Sequence, residues 1–265
     1  MPSSAHIPAL ALFGLSFCTP AWTDNGIRTD RPDFVESSSV VGKGRVQIET
    51  GYGLERNTAN GLKTTLSTTP TLLRFGMGET WELRLETDGR SRLKTIDHGT
   101  GARERDSGTQ DAAIGMKWHM QDSGDDWKPA VAWLVHADLA TGSRAFRGDG
   151  TRPSLRMVAE WDLANDWSVG IMPGVLWDKN ANGKRYAAGI AAITLGKGWT
   201  DRLGTFLELA GQHITSVKNG GSQVTWDTGV TYLVMDDVQV DVSFSWGANR
   251  HTPDFAWGAG LSMRF

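Results

Sequence analysis

Residues 45–55 read RVQIETGYGLE, and the alternation in this stretch decides the fold. Val46, Ile48, Thr50, Tyr52 and Leu54 fall on one side of an extended chain; Gln47, Glu49, Gly51, Gly53 and Glu55 fall on the other. A period of two predicts a strand with one greasy face and one polar face.

The same period returns along the chain. Trp81, Leu83 and Leu85 oppose Glu82, Arg84 and Glu86; Ala112, Ile114, Met116 and Trp118 oppose Ala113, Gly115, Lys117 and His119. Further strands are marked by Val131, Trp133 and Val135, by Leu155 to Trp161, and by Trp167 to Trp177. Residues 186–195, rich in small side chains, leave their facing open. Leu203 to Leu209, Val224 to Val234, Val238 to Trp246 and Phe255 to Phe265 complete the set. Lys63 to Phe75 supplies one more strand, whose facing is also open because Pro70 and the Leu72-Leu73 pair blur the register. The expectation is about 12 strands, an even number, as antiparallel bacterial barrels require.

Connections alternate in length. Those near 76–80, 163–166, 196–201 and 235–237 are short, whereas 88–109 and 140–152 read as long loops. Short periplasmic turns and longer extracellular loops have this asymmetry.

Composition narrows the class. The chain has 265 residues with 32 Gly, 12 Trp and 9 Pro, and 27 basic against 30 acidic side chains give a net charge of -3. That balance excludes a nucleic-acid partner as the organising function. No run reaches the roughly 18 apolar residues of a membrane helix, and a mean hydropathy of -0.32 is what a strand-crossing protein also shows. A soluble sandwich would alternate too, but here the polar face is crowded with Gly, Ala, Ser and both signs of charge, as a narrow lumen requires. Trp81, Trp118, Trp161, Trp167 and Trp199 lie near the short turns, and Trp177, Trp226, Trp246 and Trp257 lie toward the other ends. Two aromatic girdles follow, with the indole N–H groups at wet boundaries. The fold class is an antiparallel transmembrane β-barrel of the bacterial outer membrane.

Residues 1–21 (MPSSAHIPALALFGLSFCTPA) have the apolar centre and small-residue end of a signal peptide, followed by an arm over 22–43 and the barrel over 44–265. The only cysteine, Cys18, falls in that leader, so the exported chain has no disulfide or thiolate chemistry. His98, His119, His136, His213 and His251 form no metal motif, and no cofactor is expected.

The stretches TDRPDFVES at 29–37 and GRVQIETGY at 44–52 resemble the opening of the phenol-degradation meta-pathway family of outer-membrane transporter-like barrels. The resemblance continues through TPTLLRFG at 69–76, WELRL at 81–85 and TDRLG at 200–204. It implies an outer-membrane barrel associated with uptake of aromatic or other hydrophobic compounds. The alternating end, Leu261, Met263 and Phe265, resembles the signal by which the barrel-assembly machinery recognises such proteins, with Phe265 as its terminal aromatic.

Within the arm, Asp30, Arg31, Pro32 and Asp33 form a charged cluster held extended by Pro32, able to tie the arm across the periplasmic mouth or into the lumen. The lumen-facing candidates are Glu49, Glu82, Arg84, Glu86, Lys117, His119, His136, Asp138, Arg156, Glu160, Glu208, Asp227 and Asp241, joined by Asp162 and Arg264. They form either a cross-paired lattice or a polar path for a small solute. Cations of the outer loops, among them Arg90, Arg92, Lys94, Arg103 and Arg105, suit lipopolysaccharide phosphates or are plain solvated charges.

A channel or transporter, not an enzyme, is the expected function. The alternatives are a structural or surface-interaction barrel without transport, and a lipid-acting hydrolase in which His213 and Ser222 meet at one outer hairpin.

Overall fold

A computed structural model of the chain describes residues 26–124, 127–180 and 182–265; the expected leader and Cys18 lie outside the described residues. The strands are β1 (Val46–Ala59), β2 (Leu62–Thr68), β3 (Thr71–Gly76), β4 (Trp81–Thr87), β5 (Arg90–Asp97), β6 (Arg103–Thr109), β7 (Ala112–Gln121) and β8 (Ala130–Leu139). They continue as β9 (Arg152–Leu163), β10 (Trp167–Lys179), β11 (Arg185–Gly198), β12 (Leu203–Ile214), β13 (Gln223–Met235), β14 (Val238–Gly247) and β15 (Phe255–Arg264).

These 15 segments make 12 staves, because β2 with β3, β4 with β5 and β6 with β7 are each one stave broken once. Every pairing is antiparallel between sequence neighbours, and β15 pairs with β1 from Gln47↔Arg264 to Arg56↔Phe255, closing the sheet. Closure removes the free edges along the barrel wall, and among the described strands only β6, which pairs with β5 alone, is left as an edge strand.

Opposed residues of an antiparallel pair share a face. Register therefore fixes the facings that the sequence leaves open. Arg74 opposes Gln47 and Leu72 opposes Glu49, so both point inward, while Leu73 and Phe75 point out with Ile48 and Val46. Along β11, Ala188, Ile190 and Ala192 are buried inside. Outside, Leu85, Ile114, Val135, Ile193, Leu207 and Val230 are exposed, the inverse of a soluble core. The aromatic girdle is visible as Trp81 stacked on Trp118 (5.6 Å) at one rim, and as Tyr52 against Trp257 (5.8 Å) and Trp246 against Phe255 (5.7 Å) toward the other.

The segment 88–109, read from sequence as a long loop, is instead the hairpin β5–β6, and this corrects the loop assignment of Arg90, Arg92, Lys94, Arg103 and Arg105. Three neighbouring staves break at one level: Thr69-Pro70, Asp88-Gly89 and Gln110-Asp111. Pro70 has no N–H to give a ladder, and Gly89 adopts φ +64. The breaks remain bonded to one another, Thr69 N–H to Asp88 O at 3.0 Å and Gln110 N–H to Gly89 O at 2.9 Å. Above this line the outer half of β1 with β2, β5 and β6 continues as a ribbon. At the last two breaks the alternation slips by one residue, which defeats any prediction that extrapolates the parity of β4 or β7.

Candidate functional site: a lumen filled by the N-terminal arm

Residues 26–45 enter the barrel and run through its lumen. The arm has no strand or helix of its own, so its backbone N–H groups need partners from the wall. At the two ends carbonyls supply them, Asp236 O to Ile27 N–H at 2.7 Å and Gly76 O to Gly44 N–H at 2.9 Å, and between the ends wall carboxylates supply five. Glu49 accepts Asp30 N–H at 3.0 and 3.1 Å, and Glu208 accepts the adjacent N–H groups of Phe34 and Val35 at 2.8 and 2.7 Å. Glu160 accepts Ser38 N–H at 2.6 Å and Glu82 accepts Val41 N–H at 3.1 Å.

Four arm residues were singled out from sequence. Asp30 sits at the centre of the lumen: Lys117 Nζ donates to both its oxygens at 2.8 Å, Arg74 lies at 3.4 Å, and Arg84 bonds it directly. Burial alone would raise its carboxyl; Arg74, Lys117 and Arg84 outweigh burial and hold it well below the usual carboxylate range. Arg31 forks onto Asp241, Nη2 to Oδ1 at 3.0 Å and Nε to Oδ2 at 3.3 Å. A Cβ on Gly260 would stand 2.4 Å from Arg31 Nε, so a bare backbone there makes room for the guanidinium. Pro32 and Asp33 face the outer half of the lumen. Burial, then the charge of Glu208, pushes the Asp33 carboxyl well above its ordinary value, with Glu160 and Asp30 adding to the rise.

The wall residues close the network around the arm. Arg74 binds Glu82 (2.9 Å) and Glu49 (3.0 Å) and donates to the carbonyls of Arg28 (2.9 Å) and Ser39 (2.8 Å). Glu36 of the arm pairs with Arg84 (2.8 Å) and Arg156 (2.9 Å). Lys117 also donates to Ser37 O at 2.8 Å, and a ring nitrogen of His119 lies 2.9 Å from Ser38 O. Asp30, Glu36, Glu49 and Glu82 thus meet Arg74, Arg84, Lys117 and Arg156, four charges against four. Buried charges persist when paired and hydrogen-bonded in this way.

Not every candidate touches the arm. Glu86 and Asp138 flank His136 at 3.7 and 3.3 Å, and Arg152 ties Asp138 to Asp111. Asp227 takes a hydrogen bond from Thr225 at 2.6 Å, and Asp162 one from Ser123 at 3.4 Å. Arg264 does reach the arm, donating to Gly26 O at 3.2 Å beside its ion pair with Asp237 at the rim. Several participants escaped the sequence reading: Arg74, hidden by the doubtful register of its stave; Glu36; Gln47 and Gln239, which donate to Arg28 O and Thr29 Oγ1 at 2.8 Å; and the apolar niche that receives the arm. In that niche Phe34 and Val35 pack on Leu134, Val158, Met172, Ala192 and Ala210, with Arg156 5.9 Å from the Phe34 ring centre. The one available signal was an inward excess of acids, which asks for a donor-rich guest.

The arm borders two cavities. One, about 340 Å³, opens toward the short turns between Ile27, Trp199, Arg202 and Leu233; the other, about 430 Å³, lies on the long-loop side between Asp33, Phe34, Glu55, Glu208 and Asp227.

The hydrolase alternative asks His213 and Ser222 to meet. His213 Nε2 is engaged by the Tyr186 hydroxyl at 2.9 Å, while Ser222 Oγ donates to Thr215 O at 2.9 Å. The expected meeting of His213 with Ser222 is absent from the described contacts, because each is held by a nearer partner.

A closed antiparallel barrel of 12 staves, apolar outside and polar within, defines a barrel of the outer-membrane type with the architecture of a channel. Its sequence matches, over residues 29–265, the family described as "Putative MetA-pathway of phenol degradation", and the chain belongs to that family. Among solved structures, the fold is similar to an outer membrane channel from Pseudomonas putida F1, with a TM-score of 0.59 at 12% identity, covering 89% of this chain and 99% of that one. It is also similar to the KdgM porin in complex with disordered oligogalacturonate (TM-score 0.52, 9% identity, 83% and 99% covered). The β domain of the Bordetella autotransporter BrkA gives a TM-score of 0.51 at 13% identity, with 83% and 99% covered. At these identities the likeness is one of fold. No curated protein matches the sequence.

Proposed function

We infer that this chain is a gated, non-enzymatic channel of the bacterial outer membrane for small solutes, shut by its own arm, with aromatic or other hydrophobic compounds as the solute class. The observation that carries it is the arm itself: it occupies the lumen, borders two cavities and is held there largely by side chains of the wall. The niche occupied by Phe34 supports the solute class, because an aromatic ring already fits there, with Glu208 beside it to accept a hydrogen bond. The family's link to phenol degradation points the same way.

Outer-membrane lipid and the barrel-assembly machinery are the partners this reading assigns. The machinery would meet β15, whose end pairs back to β1 through Phe265 N–H to Val46 O at 2.8 Å.

Single-channel conductance of refolded protein tests the reading. The full chain should show rare, brief openings, and a chain lacking residues 26–43 should stay open and be blocked by phenols. A folded but silent barrel in both forms would favour the second reading, a structural or surface barrel, which the filled lumen also supports.

A further inference from the structure

The ribbon above the kink line sorts its charges by sign. In β6 the run Arg103-Glu104-Arg105-Asp106 alternates, so its two arginines share one face and its two acids the other. Cross-strand register extends the segregation. Arg56, Lys94 and Arg105 lie in one row through Thr65; Lys63 and Arg103 lie in the next through Ile96; Arg92 occupies the row on the other side. All six share the outward face, and Arg90 joins them. Glu55, Asp97, Glu104 and Asp106 occupy the inward face. The slip at Gly89 is what turns Arg90, Arg92 and Lys94 outward, since the parity of β4 would have sent them in.

Like charges placed directly opposite in a sheet destabilise it, and Lys94 stands opposite Arg105. Among the described residues none of the six makes an ion pair. The described residues supply these cations no ion-pair partner, so the face is open to an anionic one. Position says where such a partner would lie: Arg56 opposes Phe255, and Leu54 opposes Trp257, so the cationic rows start at the aromatic girdle on the long-loop side and rise from it. Aromatic girdles mark the level of lipid headgroups.

We propose that this face binds the phosphates of lipopolysaccharide in the outer leaflet. Arginine suits the role because its planar fork grips a phosphate through two parallel hydrogen bonds. A face that neutralises phosphates itself needs no divalent ion to bridge it to the lipid. The proposal goes beyond channel function and stands or falls separately from it.

The test is binding of purified lipopolysaccharide to the full chain in neutral detergent with EDTA, read as bound lipid phosphate and as a rise in the thermal unfolding temperature. R92Q/K94Q/R105Q should weaken binding roughly 100-fold, whereas K184Q/K218Q/R250Q, on loops elsewhere, should bind as wild type. Without lipid the first variant should melt no lower than wild type, because it has lost only repulsion. R92K/R105K should keep most of the binding, and added salt should weaken the wild type. Dephosphorylated lipid should not bind, and inorganic phosphate should not compete. Equal binding by both triple variants, dependence on divalent ions, or equal binding of free phosphate would overturn the proposal.

Discussion

Arg31 and Asp241 carry the simplest lock on the arm. The Asp241 carboxylate is fully buried and Arg31 satisfies both of its oxygens, so R31Q leaves a buried charge unpaired, at a cost on the order of 3 kcal/mol. R31Q should raise the fraction of time a single channel spends open, and R31Q/D241N should recover part of the closed state because the orphaned charge is gone. Asp33 makes docking pH-dependent in the other sense from Asp30. A carboxyl raised in the docked arm favours docking fully below the ordinary carboxylate pKa, and that support is lost as pH rises through the raised value. Asp30, held low, contributes above its ordinary pKa and loses its contribution only as pH falls through the lowered one. Openings should therefore increase as pH is raised from mildly acidic, and D33N should flatten that rise; an unchanged profile in D33N would place the titration elsewhere.

Among the elements, β1 was legible almost in full, because its alternation is unbroken from Val46 to Leu54 and both neighbours obey it. The stave of β2 and β3 was half legible: Pro70 marks its break, yet only pairing with Gln47 and Glu49 reveals that Arg74 points inward. The β5–β6 hairpin was illegible for a different reason. Its outward face carries Arg and Lys instead of Leu and Val, so a period-two search tuned to apolar residues sees a loop, and the slip at Gly89 breaks the phase. That glycine is testable. At φ +64 an alanine Cβ would stand 2.4 Å from Thr69 O, and the left-handed backbone itself costs a side chain roughly 1–2 kcal/mol. G89A should speed hydrogen exchange across β5 and β6 while leaving β8 to β15 protected, since the ribbon can fray without opening the barrel.

For the molecule as a whole, the sequence contained the barrel and its lumen charges but not the arm's place among them. Threading a strandless segment past Asp241, Glu208, Glu160 and Glu82 is a long-range arrangement that no local period records. The charge balance of the lumen nonetheless carries its trace. With the arm gone, Glu49, Glu82, Glu86, Asp138, Glu160, Asp162, Glu208, Asp227 and Asp241 face inward along the staves against Arg74, Arg84, Lys117, Arg152, Arg156 and Arg264, an excess of acids. The arm offsets this excess less through its own net charge than through the N–H groups it points at the carboxylates. A pore stripped of residues 26–43 should accordingly select cations over anions, and it should pass neutral phenols more readily than aromatic acids, whose carboxylates meet a like-charged wall. The reversal potential under a salt gradient reads the first outcome, and the relative block by phenol and benzoate reads the second. Anion selectivity in the arm-free pore would mean that wall carboxylates become protonated once their N–H partners leave, and the lattice, not the arm, would then be the closing element.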